Sequence, residues 1–139
     1  MVNGVAGSIG AGLPFALGAR CAVPDAPILA FMGDGTFGFH PAEIDTAVRH
    51  ALPFVAIVGN DARWNAEYQI QLRNYGPERL VGCELLPTRY DEVARAFGGH
   101  GEHVTDPADL AAAVRRAIES NRPAVVNVQI EGLAAPVVK

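Results

Sequence analysis

Two short apolar runs, residues 28–32 and 54–58, each stop at a turn that carries an aspartate. The first runs into Gly33-Asp34-Gly35-Thr36 and the second into Gly59-Asn60-Asp61. Runs this short, bounded by Pro27 and Gly33 or by Pro53 and Gly59, read as buried strands rather than helices. Helical patterns separate them, and strands alternating with helices imply a parallel, doubly wound α/β sheet with helices on both faces. In such a sheet the carboxyl ends of the strands open onto one crevice, where ligands bind. Asp34 and Asp61 would share that edge. Two carboxylates beside glycines with bare backbone N–H groups suit a hard cation that bridges to phosphate oxygens.

The remaining elements follow from punctuation and periodicity. Residues 9–22 are small and apolar, with Leu13, Leu17 and Arg20 at helical spacing. Gly10 and Gly12 let this helix start close to another backbone or a ligand. Pro41 suits a first helical position, and Ile44, Ala47, Val48 and Ala51 follow as one apolar face. Residues 60–88 are the least regular and read as an active-site loop with a short helix over 67–73. Thr88 and Asp91 have the spacing of a capping box opening a helix that ends at Gly98-Gly99. Val104 falls in a short strand, Asp106 and Pro107 start another helix, and residues 124–130 form a last strand. The tail, 131–139, reads as an arm or a loose end. The whole chain, 1–139, is one domain.

Half of the residues are hydrophobic and 19% are charged, so the chain is globular rather than disordered. A net charge of −4 with no basic stripe argues against nucleic acid. No apolar stretch reaches membrane-spanning length, and the start has no basic segment leading into an apolar core. Cys21 and Cys83 match no metal spacing and read as reduced thiols. A cytoplasmic location is the expectation. His100, Glu102 and His103 read as surface loop, and Arg115 and Arg116 as a solvated helix face.

Gly33-Asp34-Gly35, followed after 24 intervening residues by Asn60-Asp61, resembles the thiamine-diphosphate signature, Gly-Asp-Gly with a downstream pair of asparagines. Gly7-Ser8-Ile9-Gly10-Ala11-Gly12-Leu13-Pro14 is similar to the segment that precedes that signature. The resemblance runs from Gly7 to about Ile130. It points to the diphosphate-binding domain of the acetolactate synthase, pyruvate decarboxylase and benzoylformate decarboxylase superfamily.

That resemblance implies thiamine diphosphate and Mg²⁺ as cofactors. Asp34, Asp61 and the backbone carbonyl of Arg63 would be the metal ligands, with Asp61 standing where the family usually has asparagine. Gly35 and Thr36 would donate to the diphosphate. Gly7, Ser8, Gly33, Asn60 and Trp64 would also line the cofactor. Ile9 would prop it in the bent form in which it activates itself. Glu67 matches a substrate-facing glutamate of pyruvate decarboxylases. The family acts on 2-oxo acids, as decarboxylases, lyases or carboligating transferases. Its sites form against a pyrimidine-binding domain that supplies a glutamate, usually from another subunit, and no stretch here resembles that domain. A homo- or hetero-oligomer follows, with the pyrimidine domain on a partner or in a missing N-terminal region, and no turnover by this chain alone. A domain that docks in this way should expose apolar surface and self-associate.

Two other readings stand beside this one. The chain could be a cofactor-binding fragment without catalysis. Gly33-x-Gly35-x-x-Gly38 also fits a dinucleotide fingerprint. Against the latter, an aspartate inside the phosphate loop is unfavourable without a cation, and no acidic residue ends a strand about 20 residues further on. Taken singly, Asp34 and Asp61 fit ordinary turns, and Trp64 and Tyr68 fit packing.

Overall fold

The computed structural model of the chain describes residues 8–134. Helix α1 (Gly12–Ala22) leads into β1 (Leu29–Gly33), the single-turn α2 (Asp34–Phe37), α3 (Glu43–Arg49) and β2 (Val55–Asn60). Then come α4 (Asn65–Tyr75), α5 (Tyr90–Ala96), β3 (His100–Val104), α6 (Leu110–Glu119) and β4 (Ala124–Gln129). The four strands are all parallel, in the order β1-β2-β4-β3. Both strand runs therefore pair, with Gly33 in register with Gly59 at the carboxyl edge.

Strand alternation sorts the core into two layers. Ala56, Val58 and Val125 face Leu13 and Leu17 of α1, Ile44 and Ala47 of α3, and Tyr90 and Ala94 of α5. Val55, Ala124 and Val126 face Ala113 and Ala117 of α6. Right-handed crossovers explain the split. The chain steps outward from β1 to β2 to β3 with helices on one face, then returns from β3 to the inner β4 with α6 on the other. α6 packs over β2, β3 and β4. Leu29 and Phe31 share the α6 face of the sheet by register with Val55 and Ile57, yet stay 42% and 73% exposed.

Several local expectations shift. The capping box does not form: α5 begins at Tyr90 with no side-chain cap on its N-terminus. Asp91 turns instead to Arg89, which donates to it through Nε and Nη2 at 2.9 and 2.7 Å. A two-bond pair between a half-exposed guanidinium and a buried carboxylate is a stronger use of that carboxylate than a backbone cap. Gly101 makes this packing possible, because a β-carbon there would collide with the backbone of Asp91. His100, Glu102 and His103 lie in β3, not in a loop. Glu102 accepts from Arg116 at 3.0 and 2.8 Å, so Arg116 is held on an ion pair rather than freely solvated. Ala51 lies beyond α3 with a positive φ of 51°, outside the apolar face. Residues 131–134 are tied down rather than loose, since Asn65 Nδ2 donates to the carbonyl of Leu133 at 2.6 Å.

Candidate functional site

The carboxyl ends of β1 and β2 open into a cleft of about 290 Å³. Its floor is bare backbone: Gly33 and Gly59 sit side by side, and a β-carbon on Gly33 would meet nothing nearer than the carbonyl of Gly59 at 4.0 Å. Asp34 opens α2 immediately after β1, and Asp61 follows β2 directly. Both line the cleft, with Ile9, Gly35, Thr36, Arg63, Trp64 and Glu67. Ile130, tied by its N–H to the carbonyl of Asn60 at 3.0 Å, overlies Gly59. A hollow of about 270 Å³ at the opposite sheet edge, between Arg20, Pro27, Phe54 and Ile118, lacks both the glycine floor and the pair of aspartates.

Asp34 has an unfavourable setting for a charged group. It is 1% exposed, and its Oδ2 is buried with no hydrogen-bond partner among the described residues. Burial pushes its carboxyl above the ordinary carboxylate value, and the charge of Asp61 pushes the same way. The backbone amides of Gly35 and Arg63 pull against that shift. A buried, unpaired carboxylate oxygen beside a second carboxylate is costly unless a cation joins them.

The turn after β2 brings in a third oxygen. Arg63 forms an isolated antiparallel bridge with Glu84. Its flanking bonds are Trp64 N–H to the Cys83 carbonyl (2.9 Å) and Leu85 N–H to the Ala62 carbonyl (2.7 Å). In such a pair the central residue turns its own N–H and C=O away from the partner strand. The Arg63 amide bears on Asp34, and its carbonyl leaves the bridge on that same side. The Arg63 guanidinium lies 4.3 Å from the centre of the Tyr68 ring, a cation-π contact. The Trp64 ring meets Phe39 edge-on at 5.5 Å.

Of the residues singled out in the sequence, Ile9, Gly33, Asp34, Gly35, Thr36, Asp61, Arg63, Trp64 and Glu67 converge on one cleft. Ser8 is exposed, and Gly7 lies outside the described residues. Asn60 is the exception. Its side chain points away from the cleft, into a separate polar hollow with Thr88, Arg89, His103 and Asn127. It accepts from the Ala62 N–H at 3.1 Å and donates to the Thr88 carbonyl at 2.9 Å and to Asn127 Oδ1 at 3.1 Å. The polar cluster Asp91–Asn127 escaped the sequence reading. Its signal is visible afterwards: Asn127 is the one polar residue among Ala124, Val125, Val126 and Val128.

Comparison with known proteins bears on this geometry. The family model of the thiamine pyrophosphate enzyme C-terminal TPP-binding domain matches residues 1–128. The acetolactate synthase large subunit IlvG of Mycobacterium tuberculosis is 46% identical over 127 residues, which is 91% of this chain and 23% of that protein. A sulfoacetaldehyde acetyltransferase of Alcaligenes xylosoxydans is 39% identical over 81% of this chain and 19% of its own length. Human 2-hydroxyacyl-CoA lyase 2 is 36% identical over 91% and 21%. Among solved structures, the thiamine diphosphate-dependent 4-hydroxybenzoylformate decarboxylase of Rhodococcus jostii superposes with a TM-score of 0.82 at 25% identity, over 91% of this chain and 24% of that one. The chain thus spans under a quarter of the length of these relatives. A match along nearly its whole length places the chain in the family of C-terminal thiamine-pyrophosphate-binding domains.

Proposed function

We propose that this chain holds the diphosphate of thiamine diphosphate through Mg²⁺ at the carboxyl edge of β1 and β2, as one part of a 2-oxo-acid decarboxylase or carboligase resembling acetolactate synthase. The observation that carries this reading is the orphaned Oδ2 of Asp34, set beside Asp61 above a floor of two glycines. Mg²⁺ takes oxygen ligands in a near-octahedral set. Asp34, Asp61 and the Arg63 carbonyl would supply three, and diphosphate oxygens and water the rest. Asp61 adds a second negative charge to the site, so the cofactor's anionic end would be repelled unless the metal is present.

The thiazolium, when bound, supplies an electron sink for breaking or forming a bond next to a 2-oxo carbonyl. This chain's own residues do the holding. The amide of Gly35 and the hydroxyl of Thr36 would donate to the diphosphate. Ile9, 53% exposed at the cleft, presents an apolar side chain for the ring system to rest on. Trp64 closes one wall. Glu67, exposed in the first turn of α4, faces the same opening and is the candidate for meeting substrate.

Turnover in this reading needs a pyrimidine-binding region on a partner or elsewhere in a longer protein. The exposed Phe31 and Leu29 on β1 support that part, because parallel strands are normally covered on both faces. The dinucleotide alternative has no observation in its favour: the helix after Gly33 is a single turn of four residues, and a carboxylate sits buried in its phosphate end. The test is pyruvate consumption by the chain with thiamine diphosphate and Mg²⁺, alone and with a pyrimidine domain of an acetolactate synthase added. Turnover only with the added domain, and none in Asp34→Ala, is expected. Tight cofactor binding without turnover in either case would leave a binding module rather than half of an active site.

A further inference from the structure

We propose that Asn127 is a positioning residue for the metal-binding turn: acting through Asn60, it holds the backbone that carries Asp61 and the Arg63 carbonyl. The inference rests on the metal site proposed above. Asn127 lies in the middle of β4, 1% exposed, and does not line the cleft.

The hydrogen bonds have a single possible direction. At one end the Ala62 N–H can only donate; at the other the Asp91 carboxylate can only accept. Between them Ala62 N–H donates to Asn60 Oδ1 at 3.1 Å, Asn60 Nδ2 to Asn127 Oδ1 at 3.1 Å, and Asn127 Nδ2 to Asp91 Oδ1 at 3.4 Å. Asp91 is fixed in turn by the two bonds from Arg89. Both amide orientations are therefore set from the ends. The Thr88 carbonyl takes a further bond from Asn60 at 2.9 Å, and it and His103 Nδ1 each lie 3.5 Å from Asn127 Nδ2.

What this line of groups reaches is a turn that needs support. Ala62 has a positive φ of 55°, which a residue with a β-carbon rarely adopts, and it stands between Asp61 and Arg63. The Asn60 side chain is the group that accepts from its N–H. Without the acceptor at residue 127, the Asn60 amide keeps the Ala62 N–H and the Thr88 carbonyl but loses the third bond, the one that ties it to β4. The turn would then hold Asp61 and the Arg63 carbonyl less firmly, although neither ligand is removed.

The test is the Mg²⁺ dependence of thiamine diphosphate binding, read by tryptophan fluorescence at fixed cofactor, on variants shown to be folded by circular dichroism. Asn127→Ala, and Asn127→Leu as a space-filling second variant, should raise the Mg²⁺ midpoint about 10-fold, as loss of an outer support of a metal ligand does. Asn60→Ala should do at least as much. Adding Asn127→Ala to Asn60→Ala should change nothing further, because the one acts through the other. Val104→Ala, in the core on the α6 side, should lower the melting temperature and leave the midpoint in place. An unchanged midpoint in both Asn127 variants overturns the inference, as does an effect of Asn127→Ala that persists in full in the Asn60→Ala background. If the unmodified chain shows no Mg²⁺-dependent binding, the functional reading fails and this inference with it.

Discussion

The indole of Trp64 closes over Gly35: a β-carbon added at Gly35 would stand 2.6 Å from both Cε3 and Cζ3 of the ring. No side chain larger than hydrogen fits unless the indole moves. Gly35→Ala should therefore displace Trp64, cost about 1–3 kcal/mol of stability as an overpacking change, and shift the emission maximum of the single tryptophan. Cofactor affinity should fall at least about tenfold, since each 1.4 kcal/mol of lost binding is a factor of ten. Calorimetric titration with thiamine diphosphate and Mg²⁺ would measure it. Wild-type affinity with an unmoved emission maximum would contradict the packing.

Asp34 trades stability for its site. Burial, then the charge of Asp61, raises its carboxyl above the ordinary value near 3.8. A raised acid disfavours the charged form in the folded state, so this group lowers stability as pH climbs from the unfolded value through the folded one. In metal-free protein, Asp34→Asn should stabilise the fold at neutral pH by about 1–3 kcal/mol, and the gain should vanish in acid. The same variant should lose Mg²⁺-dependent cofactor binding. Urea melts at pH 4 and pH 7.5, in EDTA, test the first part.

Asp91 has the opposite sign. Burial raises its carboxyl, but the hydrogen bonds and charge of Arg89, with a bond from Asn127, carry it below the ordinary value. Its contribution is full above the unfolded pKa and is lost as pH falls through the lower folded one. Arg89→Met should cost about 1–3 kcal/mol near pH 7, where a buried carboxylate loses its partner. Below the ordinary carboxylate pKa the difference from wild type should shrink as Asp91 takes up a proton. A cost independent of pH would show that Arg89 acts through packing alone.

Phe31 marks where the sheet is unfinished. It stands 73% exposed on β1, with Leu29 on the same face, and β1 is an edge strand. Phe31→Lys should reduce self-association of the isolated chain and leave its melting temperature within about 0.5 kcal/mol equivalents, as surface changes do. Sedimentation velocity over a concentration series would detect the change. A wild-type chain that stays monomeric at the highest concentration would remove Phe31 as a docking residue.

How far the sequence was legible depends on range. The two strands ending in glycine carried the parallel sheet, and Asp34 and Asp61 could be placed on one edge because strand ends are local features with a global consequence. Trp64 over Gly35 and the Arg63–Glu84 bridge depend on how the irregular loop folds back, which periodicity does not encode. Asp91 was misread for a physical reason: its spacing from Thr88 fits a cap, but Arg89 competes for the same carboxylate and wins. Asn60 was assigned to the cofactor with its neighbour Asp61. The Asn60 side chain follows the strand's alternation into the polar hollow, whereas Asp61, just past the strand, borders both that hollow and the cleft. The tail looked free because no local pattern shows that Asn65 and Gln69 of α4 bond to the carbonyls of Leu133 and Gly132.

The most direct measurement is a fluorescence titration of Trp64 with thiamine diphosphate, first with Mg²⁺ and then with EDTA, on the wild-type chain and on Asp61→Asn. Trp64 lines the cleft, so filling it must change the indole's surroundings. The account predicts saturable quenching that depends on Mg²⁺ and collapses in EDTA, with a smaller dependence once the second negative charge is removed. Equal affinity with and without EDTA, or no response from folded protein, would contradict it.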